Sequence, residues 1–281
     1  LALLRCPHCG GDLRQNGASL ICSGGHTANI ARQGNVSLLG KHSGTHTADS
    51  AEMIAARENV LGAGLFEPVV EAVVAAASDP ALDGVEGSVA DLGSGPGYYL
   101  ERVLEAVPSR FGVAIDNSKF AARRAARRHP RAGAVVADLW EEIPLKDHCV
   151  AVAINIFAPR NGEEIERILA PGGRLVVVTP EPEHLQELIA PFSMISVDPD
   201  KEERLKQSLG PLGEVLEDHP VAWVMNLSRS EVGDLVAMGP SAGRLGPEEL
   251  ESALDRLDYP FAVTGSVRVS VADVQAAGVS D

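Results

Sequence analysis

Helical periodicity begins near residue 50. Met53, Ile54, Val60 and Leu61, then Phe66, Val69, Val70, Val73 and Val74, recur on one stripe and predict two consecutive helices. The pattern then changes to short β-branched runs over 88–92, 111–115, 134–137, 149–156 and 174–179, separated by helical periods near 98–106, 118–129 and 160–169. Alternation at this spacing predicts a parallel sheet covered on both faces, a doubly wound α/β domain. Beyond 180 the rhythm loosens. A helix near 183–190, an irregular acidic stretch reaching 218, a strand near 222–228, helices near 230–238 and 247–257 and a last strand near 261–271 are expected to complete the sheet and add a lid. The first thirty-odd residues have no amphipathic period, are rich in Gly and Cys, and run into the polar stretch 40–49. The chain therefore divides into a head at 1–40, a linker and connecting helix at 41–60, and the α/β domain at 61–281.

With 281 residues, 45 % of them hydrophobic and 22 % charged, the chain can bury a sizeable core, and the disordered and fibrous classes are excluded. No apolar run reaches the length of a membrane span and no basic-then-apolar leader opens the chain, so a cytoplasmic protein with no membrane partner is expected. Arg far outnumbers Lys, and Ala, Gly and Val are heavily used, a bias typical of a G+C-rich genome. The net charge of −15 stands against a nucleic-acid partner. Divided along the chain, the objection narrows. Residues 1–60 hold five basic and four acidic residues and four of the eight histidines, leaving 19 basic against 35 acidic residues elsewhere.

The head carries Cys6-Pro-His-Cys9, then Cys22 and His26, a C-x2-C and C-x3-H pair with twelve residues between them. Such spacing bends two ligand pairs over one ion in the tetrahedral arrangement Zn²⁺ prefers. Binding worth ~10–16 kcal/mol folds a segment with almost no core of its own. His8 competes with His26 for the fourth place but lies between the cysteines, whereas His26 holds the regular position after Cys22. Cys149 opens an apolar strand and reads as a small core residue.

A second cluster follows the first strand of the body. Asp91-Leu-Gly93-Ser-Gly95-Pro96-Gly97 opens a helix with glycines that let backbone approach a ligand, and with an acid placed to accept from an ammonium or hydroxyls. A dinucleotide fingerprint needs glycine where Tyr98 stands, so a nicotinamide cofactor is disfavoured. Asp116 after the second strand matches a ribose diol, and Asp138 after the third can accept from an adenine amino group. Each alone is more often a turn or helix cap. Together, at successive strand ends, they point to a nucleoside.

The glycine loop with Asp116 and Asp138 resembles the S-adenosylmethionine-dependent methyltransferases, whose sheet is Rossmann-like. More narrowly, the zinc-type head, Gly34-Asn-Val-Ser-Leu-Leu39, Asp49-Ser-Ala-Glu-Met53, Gly97-Tyr-Tyr99, Asn155-Ile-Phe-Ala-Pro159, Pro171-Gly-Gly173 and Thr179-Pro-Glu-Pro-Glu-His-Leu185 are together similar to the RlmA family of 23S ribosomal RNA guanine-N1 methyltransferases. The likeness spans 6–185 and, with the composition, favours the Gram-positive type that confers tylosin resistance by methylating nucleotide 748 in hairpin 35. It implies S-adenosylmethionine as cofactor, a structural Zn²⁺ in the head, 23S rRNA hairpin 35 as partner, and a homodimer whose heads frame an RNA cleft. Asn155 is then expected near the transferred methyl, Phe157 either as a stacking surface for the target base or as core, His184, after the fifth strand at the sheet's carboxyl edge, either beside cofactor or substrate or as a helix cap, and Phe66 over the cofactor pocket. The segment from Asn155 to Arg160 departs from the Asn/Asp-Pro-Pro-aromatic pattern of amino-directed enzymes, which fits a ring-nitrogen target and leaves the proton acceptor for N1 unassigned.

Two basic regions stand out. Lys119, Arg123, Arg124, Arg127, Arg128, His129 and Arg131 follow Asp116 without an intervening acid and read first as a solvated face. The head and linker offer Arg5, Arg14, Arg32, Lys41, His42 and His46 beside flexible glycines, with Arg57 following, and the head is the expected RNA reader, since folded RNA is recognised by shape. The alternatives are a small-molecule methyltransferase with a purely structural zinc site and a non-catalytic zinc adaptor.

Overall fold

The computed structural model describes residues 1–40, 47–196 and 217–274. In the head, β1 (Leu13–Asn16), β2 (Ser19–Cys22) and β3 (Thr27–Asn29) form an antiparallel sheet in that order. Its buried positions, Leu13, Leu20 and Cys22, are too few to make a core alone. β4 (Val36–Ser37) leaves the head to join a larger sheet. α1 (Ala51–Gly62) starts where the Ser50 hydroxyl accepts the Met53 amide, and α2 (Glu67–Ala77) carries Pro68 in its first turn, where a missing N–H leaves no bond unmade.

Strand and helix then alternate through β5 (Ser88–Leu92), α3 (Tyr98–Ala106), β6 (Gly112–Asp116), α4 (Lys119–Ala125), β7 (Ala132–Val136), β8 (Val150–Ile156), α5 (Gly162–Ile168), β9 (Leu169–Pro180) and α6 (Gln186–Ile189). β10 (Glu217–Leu227) and β11 (Phe261–Asp273) follow, with helices Arg229–Ala237 and Pro247–Leu254 between them. β5 and β8 are buried at every residue, as strands covered on both faces must be. The sheet order is β10-β11-β9-β8-β5-β6-β7-β4, parallel from β4 to β9. β11 and β10 add antiparallel pairs, so the expected parallel sheet is mixed at one edge.

Several boundaries differ from the periodicity for local reasons. α4 stops at Ala125 ahead of His129-Pro130, because a residue before proline is pushed out of the helical region. The helix expected over 183–190 shrinks to α6 because Leu185 takes φ 56° and donates its amide to the Thr264 carbonyl of β11 at 2.8 Å. β9 begins five residues early, where Leu169 pairs with Val150 across a bulge.

One face of the sheet packs against α2, α3 and helix Arg229–Ala237 through Val69, Val73, Leu100, Val103 and Val232. The other packs against α5, the segment 139–145 and the head, whose Leu4, Leu13 and Leu20 join Leu145, Ile165 and Ile168. The head thus sits where a helix between β7 and β8 would lie; among the described residues, 137–149 holds none. Backbone bonds from Arg5 to Pro144 (3.1 Å) and Lys146 to Leu3 (2.9 Å) and the Lys146–Asp12 ion pair (2.6 Å) fasten it. Each buried leucine adds about 1.5–3 kcal/mol, so the head and the sheet stabilise each other. No single helix among the described residues is long and apolar enough to cross a membrane; α1 and α2, apolar enough together, meet at an 83° bend.

Candidate active site and metal centre

Parallel strands end on one edge, so the loops after them share a crevice. Here the loops after β5, β6, β7 and β8 line a cavity of about 900 Å³. Asp91, in β5, is 1 % exposed, and its Oδ2 has no hydrogen-bond partner. Burial, with repulsion from Asp116 added, pushes its carboxyl up to about 8. A buried, half-satisfied carboxyl on a cavity wall is a site for a cationic or hydroxyl ligand group.

Gly93 (φ 82°) and Gly97 (φ 80°) shape the turn that follows. A Cβ on Gly93 would fall 2.3 Å from the Ala158 Cβ and one on Gly97 2.9 Å from the Ala125 Cβ, so neither position admits a side chain. Asp116 accepts the Gly95 amide at 2.8 Å and the Ser118 amide at 2.7 Å, which ties the glycine loop to the end of β6. Burial raises its carboxyl to about 6 against those bonds. Asp138 accepts the Trp140 amide at 3.0 Å and lines the same cavity with Pro96. The three acids thus stand at neighbouring strand ends in the order β7, β6, β5.

The loop after β8 closes the other side. Asn155 does not reach the cavity, contrary to the expectation from sequence. It is 0 % exposed, and its Nδ2 donates to the carbonyls of Leu92 and Pro159, both at 2.9 Å. An amide spent on two carbonyls holds the β5 and β8 loops together and does no chemistry on a ligand. Phe157 projects instead. It is 42 % exposed, takes φ 53°, and stacks on His184 with ring centroids 5.6 Å apart and planes at 25°. Holding a non-glycine residue there costs about 1–3 kcal/mol, and such strain gathers at binding sites. Phe66, 2 % exposed, packs edge-on to Phe157, His184 and Trp223.

Two arginines line the cavity as well, Arg57, which the sequence grouped with the basic head, and Arg160, to which it gave no role. Arg57 of α1 pairs with Asp49 at 2.7 Å and donates to the Met238 carbonyl at 2.9 Å. Arg160 donates from one guanidinium nitrogen to Asn155 Oδ1 at 3.3 Å, and its Nε is buried without a partner. Their only sequence signal was a cation next to a motif.

In the head, the ligand atoms of Cys6, Cys9, Cys22 and His26 all lie within 4.8 Å of one another. Cys9 and Cys22 Sγ are 3.6 Å apart, and His26 Nδ1 is 3.6 Å from Cys6 Sγ and 3.4 Å from Cys22 Sγ. Three thiols and an imidazole gathered this closely are a donor set that suits Zn²⁺. His8 lies beside His26, ring centroids 5.1 Å apart and planes tilted at 55°, outside the cluster.

Of the basic residues assigned to RNA, Arg5 is held by Glu142 and by Asp147 (3.5 Å) and serves to fasten the head to the body. Arg14 and Arg32 are exposed; Lys41, His42 and His46 lie outside the described residues. The basic run after Asp116 is more than a solvated face. Arg123, Arg124, Arg127 and Arg128 rim a groove of about 430 Å³ together with Phe120, Glu58 and Gln33 of the head. Arg124 and Arg128 are paired with Glu58, and Arg128 also with Glu101.

No family model matches the chain. It is 42 % identical over 268 residues to the 23S rRNA (guanine(748)-N(1))-methyltransferase of Streptomyces fradiae, with 95 % of both chains covered. A Micromonospora griseorubida relative, whose name assigns it provisionally to the 23S rRNA (guanine-N(1)-)-methyltransferases, is 45 % identical over 283 residues, covering 95 % of this chain and 96 % of that one. Among solved structures, a SAM dependent methyltransferase from Aquifex aeolicus aligns with a TM-score of 0.47 at 15 % identity, over 80 % of this chain and 99 % of that chain.

Proposed function

This chain belongs to the 23S rRNA (guanine-N1)-methyltransferase family, and we propose from that membership that it methylates N1 of guanosine 748 in hairpin 35 of 23S rRNA, in the cytoplasm, protecting the ribosome from tylosin-type macrolides. The observation that carries the reading is the 42 % identity to the Streptomyces fradiae enzyme along 95 % of both chains. S-adenosylmethionine supplies an activated methyl group, so the protein's task is alignment in a dry pocket.

The residues of the cavity fit that cofactor. The unpartnered oxygen of Asp91 suits an ammonium group, Asp116 a ribose diol, and Asp138 an adenine amino group, while Gly93, Gly95, Pro96 and Gly97 bring backbone against the ligand. Phe66 backs the aromatic cluster, and Phe157 with His184 forms a platform on which a splayed guanine can stack, as bases drawn from RNA loops do. Asn155 positions this loop from behind.

In the head, at 1–40, Zn²⁺ held by Cys6, Cys9, Cys22 and His26 keeps Arg14 and Arg32 presented to RNA. The linker at 41–60 leads to the catalytic domain at 61–281, and two copies form a dimer whose heads face one RNA cleft. The arginine groove that reaches Gln33, with Arg124 and Arg128 paired to acids and Arg123 and Arg127 beside them, supports an RNA substrate despite a net charge of −15.

The test is direct. Incubated with labelled S-adenosylmethionine and 23S rRNA, the protein should yield 1-methylguanosine as the labelled nucleoside after digestion. Label in another nucleoside, or none, would refute the assignment. Sedimentation of the protein alone and with RNA tests the dimer.

A further inference from the structure

Arg160 is the cavity residue whose environment its fold-holding contacts do not explain. Arg160 lines the cavity three residues past Phe157, and neither of its acceptors, Asn155 Oδ1 at 3.3 Å and the Ala158 carbonyl at 3.5 Å, carries a charge. No carboxylate among the described residues pairs with it, and its Nε is buried without an acceptor. Leaving a cation so poorly compensated is costly, and an arginine keeps its charge even so. Its position is informative. Asp138, Asp116 and Asp91 occupy the ends of β7, β6 and β5, and the next strand in the sheet is β8, whose loop carries Arg160. The cation therefore stands past the acidic half of the cavity, on the side left for the methyl acceptor.

The neighbouring ring is also a donor. His184 Nδ1 accepts the Ser266 amide at 3.1 Å, so a neutral His184 carries its proton on Nε2 and takes none there.

We propose that Arg160 binds O6 of the target guanine and stabilises the N1-deprotonated base, so that the enzyme activates N1 by holding the charge that develops on O6. This rests on the guanine-N1 reading above and names the group that makes N1 nucleophilic. In balance, the N1 proton passes to water and the N1–CH₃ bond forms as the S–CH₃ bond breaks, with the electron pair of that bond staying on sulfur. Arg160 keeps all its protons and serves as an oxyanion-type donor.

Single-turnover methylation of the rRNA hairpin between pH 6 and 9.5 tests this with the intact protein. Cofactor is held saturating at every pH, so that titration of Asp91 and Asp116 does not enter the rate; His184 is the remaining titratable ring facing the platform. Arg160→Gln should slow transfer on the order of 100-fold at neutral pH, the loss typical of one oxyanion donor. Its rate should keep climbing with pH beyond the point where the wild type levels off, while hairpin affinity stays within about twofold. Arg160→Lys should restore part of the rate and part of the profile. A hairpin carrying 6-thioguanosine at the target, with a more acidic N1 and a poor acceptor at position 6, should reduce the wild-type to Arg160→Gln ratio to below tenfold. A ratio unchanged by the thio base, or a uniformly lowered rate with the wild-type pH profile, would overturn the role of Arg160 and leave the methyltransferase reading intact. A wild-type protein that makes no 1-methylguanosine would overturn both.

Discussion

Asp91 makes the fit between cavity and cofactor measurable as a proton count. Its carboxyl is buried, has one oxygen without a partner, and is pushed up to about 8, so at pH 7 it is about nine-tenths protonated in the empty protein. A ligand whose ammonium occupies that oxygen requires the carboxylate, and binding at pH 7 should release about 0.9 proton, falling to about 0.5 at pH 8. Affinity should rise about tenfold per pH unit from 6 toward 8 and then flatten, because each unit below the raised value costs about 1.4 kcal/mol. The sign for folding is opposite. The folded state holds this proton more tightly than the unfolded chain, so the empty protein loses stability as pH climbs from the ordinary carboxylate range to about 8, on the order of 5 kcal/mol over the whole span. Asp91→Asn should remove both effects, binding ligand roughly 10- to 100-fold more weakly at pH 8 for want of a charged acceptor, while the empty variant becomes more stable there than the wild type. Calorimetry of S-adenosylhomocysteine binding in buffers of different ionisation enthalpy gives the count. Wild-type release below about 0.2 proton at pH 7, or the same release from Asp91→Asn, would refute the placement of an ammonium at Asp91.

Other consequences can be checked with equal directness. Gly97→Ala places a methyl 2.9 Å from the Ala125 Cβ at a φ of 80°, so S-adenosylhomocysteine affinity should fall at least tenfold and unfolding free energy by about 2 kcal/mol or more in denaturant titration. Removing Zn²⁺ with a chelator, or replacing Cys22 by Ser, should uncover the sheet face under Leu4, Leu13 and Leu20, seen as dye binding and a lowered melting temperature; an unchanged melting curve would argue against a structural metal. Arg123→Glu with Arg127→Glu should weaken hairpin binding at low salt and flatten its salt dependence by about two units of log–log slope, whereas cofactor binding stays as in the wild type.

What the sequence made legible was whatever repeats with a local period or lies within a few residues of its partner. Strand and helix alternation followed from burial on both faces of β5 and β8, and the metal cluster from ligand spacing in one small hairpin. The acids at 91, 116 and 138 were legible as strand-end residues because parallel strands bring their ends together. Long-range packing was not legible. Leu4 and Leu13 read as features of a separate head, yet they complete the core beneath β5 and β6, which only the absence of a helix between β7 and β8 makes room for. Arg5 read as free for RNA because its partners, Glu142 and Asp147, lie more than 130 residues away. Asn155 looked reactive beside a motif, and only its complete burial against the Leu92 and Pro159 carbonyls shows that it holds loops. Arg57 read only as one more basic residue after the head, and Arg160 only as the end of the segment from Asn155, because their place on the cavity wall depends on residues far away in the chain.

Methylation of guanine N1 removes the N1–H that base pairing requires, so it blocks pairing at the modified nucleotide. Unmethylated 23S rRNA, treated with the protein and S-adenosylmethionine and then copied by reverse transcriptase, should give a new, cofactor-dependent stop one position before nucleotide 748 and none elsewhere. A stop at the neighbouring 745 position, a stop outside hairpin 35, or full-length copy despite incorporated methyl groups would contradict the assignment.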